Sequence, residues 1–232
     1  MVSTLCSDSA TTENATTGTS VATPSQNVAA GELLTAFFAW NDVSNNTQVG
    51  TVTDNAGNTW VAAGAQARSG ATNSRLYYCL SSAANAALVV TCTIVDAVNS
   101  PQSRDYRSAI ISRYTIAGGT VSMDTVPTPA TGSSTTPTSN SFTTTGTDEL
   151  IVLAAPGVPS FTAGSGATIS ASGNYAGLQY RATSSTIMGG TESMTTGSSA
   201  AWAAHLVAFK ITASGPVITG PSGAPGAATS AK

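Results

Sequence analysis

A single histidine, His205, is present in the 232-residue chain, in the run AAWAAHLVAFKI. Any acid–base chemistry by an imidazole near neutral pH would have to pass through it. In an extended run it alternates with Ala203, Val207, Phe209 and Ile211, which places it on an apolar face. That placement predicts a packed, neutral ring with one satisfied hydrogen bond. A nucleophilic triad would need a placed serine and carboxylate beside it, and no G-x-S-x-G turn occurs among the many serines. The eleven acids do not form an evident pair either. Glycoside hydrolysis needs two carboxyls about 5–10 Å apart. Asp8, Glu13, Asp42, Asp54, Asp96, Asp105 and Asp124 read as turn or arm residues, and the adjacent Asp148 and Glu149 would point to opposite faces of a strand. The expectation is a protein that is not an enzyme and needs no cofactor.

Asp54, Asn55 and Asn58 could offer oxygens to calcium, but one carboxylate and two amides make a thin ligand set. An Asx turn uses the same residues without a metal, and no metal site is expected. Aromatic side chains raise a different chemistry, stacking against sugar rings. Trp40 and Trp202 lie in apolar runs and are expected in the core, which leaves Trp60, Tyr175 and Tyr180 as candidate glycan contacts. Three cysteines are present: Cys6, Cys79 and Cys92. Cys79 and Cys92 flank the expected hairpin YYCLSSAANAALVVTC, where a turn at Asn85 and Ala86 would set them opposite one another. A disulfide between them is one alternative. Two small buried thiols are the expectation, because direct cross-strand disulfides are strained.

Only 8% of the residues are charged, against about 25% in ordinary soluble domains. Ser, Thr, Ala, Gly and Asn take their place, a composition that suits strands and turns. A net charge of −3 with scattered Lys and Arg argues against nucleic acid as a partner. No run approaches the roughly 20 apolar residues that span a bilayer, so no membrane partner is expected. The opening MVSTLCSDSATTENATTGTS has neither a basic nor an apolar leader region, so no export signal is expected.

The elements that must position these residues read as strands throughout. GELLTAFFAW is apolar on both alternating faces from Leu33 to Trp40, the pattern of a central strand. VGTVTDNAGNTWVAAG predicts a hairpin about Asp54–Asn58. SRLYYCL with LVVTCTIV predicts a second, and SAIISRYTI puts Ile110, Tyr114 and Ile116 on one face. A Ser/Thr/Pro-rich linker spans residues 122–147, after which ELIVLAA, GLQYRATS and AAWAAHLVAFKI resume the pattern. GELLTAFFAW, SRLYYCLSS and SAIISRYTI recur in order as DELIVLAAPG, LQYRATSS and AAHLVAFKI. This predicts either two related half-sheets or convergence of strands in similar surroundings. The fold class expected is all-β, a two-sheet antiparallel β-sandwich of jelly-roll-like form. Its domain covers residues 25–212, between an extended N-terminal arm (1–24) and a Gly/Pro-rich C-terminal arm (213–232).

VTDNAGNTWVAAG, SRLYYCLSSAANAALVVTCTI and AWAAHLVAFK together resemble a β-sandwich module of phage virion proteins and bacterial surface proteins. In that group a D-x-x-G-N-T-[WY] hairpin precedes a tyrosine strand, and the module closes on a W-A-x-x-x-x-A-F-K strand. The likeness covers roughly residues 27–211, and its motifs specify turns and core positions. It implies a sandwich fold, and no catalytic residue is carried over from it. The tail adds three Gly-X-Y triplets from Gly220 and apolar anchors at Val217 and Ile218. Pro216, Val217, Ile218, Pro221 and Pro225 are the expected partner-contact residues of an arm docked on a neighbouring subunit. The functional expectation is a structural virion protein at the particle surface, a capsid decoration or cement protein. Its partners would be other virion proteins, the major capsid protein foremost, and copies of itself, a trimer being compatible with the triplets. The alternative is a glycan-binding adhesin or tail-associated receptor-binding module at an extracellular surface.

Overall fold

The computed structural model describes residues 3–14, 17–42, 47–96, 98, 100–104, 106–158 and 160–213, the side chains of 3–10, 14 and 50 excepted. Runs rich in Val, Thr, Ala and aromatic residues, punctuated by Gly, Asn and Pro, fold there as antiparallel strands. The first half of the chain forms β1 (Ser3–Asn14), β2 (Ser20–Ala22), β3 (Gln26–Val28), β4 (Leu33–Asn41), β5 (Gln48–Asp54), β6 (Val61–Ala62), β7 (Ala67–Ser69), β8 (Thr72–Cys79), β9 (Asn85–Leu88), β10 (Val90–Val95) and β11 (Arg107–Ala117). The second half forms β12 (Gly119–Thr125), β13 (Ala130–Ser134), β14 (Glu149–Pro156), β15 (Thr162–Ala163), β16 (Thr168–Ser172), β17 (Ala176–Thr183), β18 (Met194–Thr195) and β19 (Ala200–Ala213). Two six-stranded sheets make the all-β sandwich. One runs β1-β11-β4-β8-β6 with β7 on β8, the other β12-β19-β14-β17-β16 with β13 on β19.

The main core lies between these sheets. Leu33, Phe37, Leu76, Ile110 and Tyr114 of the first meet Leu150, Val152, Leu178, Val207 and Phe209 of the second. Ile110, Tyr114 and Ile116 do share one face, as their spacing predicts. The opposite face of β4, with Leu34, Phe38 and Trp40, packs beneath Val21, Val49, Cys92 and Ile94 of the small sheet β2-β10-β5. The opposite face of β14, with Ile151 and Leu153, packs with Phe142, Met194 and Trp202. Both central strands are therefore covered on two sides, which is why their sequences are apolar without alternation.

The two halves follow one plan, register for register. In the first sheet Leu33 faces Tyr114 and Leu34 faces Cys79; in the second Leu150 faces Phe209 and Ile151 faces Arg181. The edge strands carry the same irregularity at the same place. β1 bulges between Cys6 and Asp8, opposite Tyr114 and Arg113, and β12 bulges between Met123 and Thr125, opposite Phe209 and Ala208. Across the core the edge-to-face pairs Tyr78–Phe209 and Tyr114–Tyr180 exchange equivalent positions between the halves, with ring centroids 5.3 and 5.7 Å apart. The recurring sequence thus marks two related half-sheets packed face to face.

Four expectations change. The N-terminal arm is instead a sheet edge: β1 pairs along β11 and β2 pairs with β10, so the inward row of their backbone groups is satisfied within the chain. Within the 122–147 linker, β12 and β13 both pair with β19. The hairpin expected about Asp54 is a crossing between sheets, since β5 pairs with β10 whereas β6 pairs with β8. For the same reason Cys79 and Cys92 are not cross-strand neighbours. Cys79 faces Leu34 and Cys92 faces Val52, and both are buried free thiols rather than a disulfide. Burial pushes both thiols up from their ordinary range, which favours the inert protonated form. The C-terminal arm, with Pro216, Val217, Ile218, Pro221 and Pro225, lies outside the described residues.

Candidate functional site

His205 stands in β19 where the first half carries Ile110, and it is 1% exposed. Its Nε2 and the Ser74 hydroxyl of β8 share a 2.9 Å hydrogen bond across the core, and its ring tilts against Phe37. Burial, with the Arg75 charge adding to it, pushes the imidazole down to about 3. The ring is a neutral inter-sheet tie, as its alternation predicts.

Asp54 gathers a turn around itself. Its carboxylate accepts hydrogen bonds from the Ala56 and Asn58 amides, the Asn58 side chain and the Trp60 indole, at 2.8–3.1 Å. Burial alone would raise its pKa, but these donors outweigh it and hold the group below the usual carboxylate range. Asn55 continues the fastening by bonding the Ala87 carbonyl and the Val89 amide. The oxygens that calcium would use are spent on the chain itself. Among the described residues, no three of His, Cys, Asp and Glu gather as a metal site.

Glu149 opens β14 and is 1% exposed. Its Oε1 accepts from the Gly146 amide at 2.8 Å, and a Cβ at Gly146 would stand 2.5 Å from that oxygen, so a larger residue there would have to displace the carboxylate. Asp124, at the β12 bulge, shares a side-chain hydrogen bond with it, and the charge of Lys210, the cross-strand partner of Glu149 on β19, acts on both. Burial, followed by the Asp124 charge, raises the Glu149 carboxyl to about 7. Asp124 is held low by its bonds from the Thr145 amide and hydroxyl, although burial opposes this. The carboxyl pair that forms is thus Asp124 with Glu149, brought together by the bulge and the 143–148 loop. The sequence shows no evident pair among its acids, and Asp124 with Glu149, far apart along it, carry no signal there.

The three candidate glycan residues do not converge. Trp60 is half-buried and tied to Asp54 at one side of the fold. Tyr180 is half-buried against Tyr114 within the main core. Tyr175 alone of the three borders an open cleft of about 310 Å³, at the end of the sandwich where strands of both sheets terminate. There its ring meets Tyr106 edge to face, 5.2 Å between centroids. Asn41 at the end of β4 and Thr72 at the start of β8 are direct cross-strand partners, so their side chains share the cleft face. Ala39 and Pro156, equivalent positions of the two halves, lie deeper. Glu13 of β1 accepts from the Tyr175 amide and the Asn174 side chain, each at 2.8 Å, and so fixes the turn that carries Tyr175. Tyr106, Asn41 and Thr72 had no sequence signal. Only the register that brings the ends of β4, β8 and β11 together reveals them.

No protein-family model matches this chain, and neither a curated protein nor a solved structure matches it.

Two outcomes test this reading. Asp54→Ala removes the acceptor of four hydrogen bonds and is expected to cost about 1–3 kcal/mol in urea unfolding, while added calcium leaves wild-type stability unchanged. The second concerns pH. Folded Glu149 keeps its proton up to about 7, whereas the unfolded carboxyl releases it near 4.5, so its contribution falls as pH rises through that window. His205 acts oppositely below 6.5, because only the unfolded ring takes up a proton there. In Glu149→Gln the falling contribution is gone, so the variant's Tm should gain roughly 4 °C on wild type between pH 4.5 and 7. Parallel Tm curves would contradict the assignment.

Proposed function

We propose that this chain is a structural virion protein, a decoration or cement protein that covers joints between other virion proteins, the major capsid protein foremost. The observation that supports it is where the sandwich places its charge. Glu32 is bound by Arg113 and by the Thr115 hydroxyl, at 3.2 and 2.8 Å. Asp42 is bound by Arg104 at 3.3 Å and by Thr47, and Glu192 by Arg181. These acids are 3–6% exposed and directed onto the chain's own strands. The outward positions are left largely to Ser, Thr, Ala, Gly and Asn. Such a shell can be covered by another protein without stripping water from charges, the step that makes buried ion pairs costly.

Two related half-sheets sharing one core supply the rigid body that the role needs. The sequence likeness to a virion and surface module points the same way. The working unit is a homo-oligomer seated on the particle, to which residues 214–232 add contact.

The experiment is to purify particles of the phage that encodes the chain and count its copies by mass spectrometry. Stoichiometric occupancy is expected, together with a fall of several degrees in particle melting when the gene is deleted. Truncation after Ala213 should lower occupancy severalfold. Particles that lack the chain would overturn the reading.

A further inference from the structure

We propose that the cleft between Tyr106 and Tyr175 is a binding site for a neutral saccharide, seating one sugar ring against the tyrosine pair. The cleft's volume, about 310 Å³, sits at the small end of ligand pockets, the scale of a single ring rather than a chain segment. Its chemistry is divided as a sugar is divided. The apolar floor of Ala39 and Pro156 and the tyrosine rings suit the C–H face of a pyranose. The Asn41 amide and Thr72 hydroxyl each both donate and accept, which is what vicinal hydroxyls require. None of the described residues lining it is Asp, Glu, Lys or Arg, which selects a neutral sugar over a sialylated, sulfated or phosphorylated one.

Two further features show the cleft to be held in shape. Tyr106 has φ of +48°, a left-handed backbone that a bulky residue adopts at a cost, yet the residue is 43% exposed. Core packing does not account for a strained, exposed tyrosine, whereas presentation of its ring to a ligand does. Opposite it, Glu13 fastens the turn before Tyr175 and packs directly over Gly173, so that a side chain there would have to displace the Glu13 carboxylate. A Cβ there would lie 2.2 Å from the carboxylate. The aromatic pair is therefore set before any ligand arrives, which lowers the entropy lost on binding.

The cleft also marks where the halves diverge. It is built from equivalent positions of the common plan, but Asn41 stands opposite Val158 and Tyr106 opposite Ala201. The polar groups and one tyrosine come from the first half and Tyr175 from the turn between β16 and β17 of the second, so a two-fold frame carries an asymmetric site.

Saturation-transfer NMR on the full chain, with free glucose, galactose, mannose, N-acetylglucosamine and rhamnose as probes, tests the proposal. At least one is expected to show transfer. Tyr106→Gly removes the ring while suiting the left-handed backbone, so the fold should survive and affinity should drop about tenfold or more. Asn41→Ala should do the same, and Trp60→Ala should leave binding intact. If a variant's Tm falls, Thr72→Val supplies the alternative probe. The proposal is overturned by no transfer from any of the five. Binding indifferent to Tyr106→Gly and Asn41→Ala, or confined to sialic acid or sugar phosphates, would also overturn it. The outcome is separate from the virion reading, since particle occupancy neither requires nor excludes an occupied cleft.

Discussion

Everything in this molecule depends on each half-sheet covering the inner face of the other. Leu33, Phe37 and Ile110 on one side and Leu150, Val152 and Val207 on the other have no alternative cover within their own sheets. Burying such apolar area is the dominant favourable contribution to folding, at about 25 cal/mol per Å². The edge-to-face pairs Tyr78–Phe209 and Tyr114–Tyr180 fix how the sheets face each other, because each ring meets a partner from the opposite half. Separation of the sheets would break both contacts at once.

Around that core the chain uses its few polar and ionisable groups as ties. His205 with Ser74, Ser112 with Ser170, Ser69 with the Gly132 carbonyl, and Glu13 with the Asn174–Tyr175 turn all cross from one half to the other. Where the halves differ, the differences have consequences. The first half answers Glu32 with Arg113 and Thr115; the second places Glu149 beside Asp124 and Lys210. The first pairing holds its carboxyl low, although burial works against it, whereas the second lets burial and a like charge raise the carboxyl toward neutrality. One plan thus yields a fixed ion pair on one side and a titrating carboxyl on the other.

Much of the sandwich was legible because burial leaves a direct mark on sequence. The unbroken apolar runs from Leu33 and Leu150 identify the central strands, and their recurrence with the tyrosine and closing strands marks the repeat. His205 was legible for the same reason, through alternation with Val207 and Phe209. Strand pairing was less so. Asn and Gly after Asp54 signal a turn, but the same chemistry serves a hairpin and a crossing between sheets, and only the partners β10 and β8 decide. β1 went unread because an edge strand of Ser and Thr has no apolar face to announce it. The cleft was illegible for a deeper reason. Asn41, Thr72, Tyr106 and Tyr175 lie far apart in sequence and meet only through the register of several strands.

The most direct measurement is native-state hydrogen exchange on the full chain, followed strand by strand under increasing denaturant. If each half-sheet depends on the other for its inner face, the amides of β4, β11, β14 and β19 should exchange through one global opening, with a single free energy and a common denaturant slope. Exchange of β14 and β19 through a lower-energy opening that leaves β4 and β11 protected would show that the first half stands without the second, and would contradict the account.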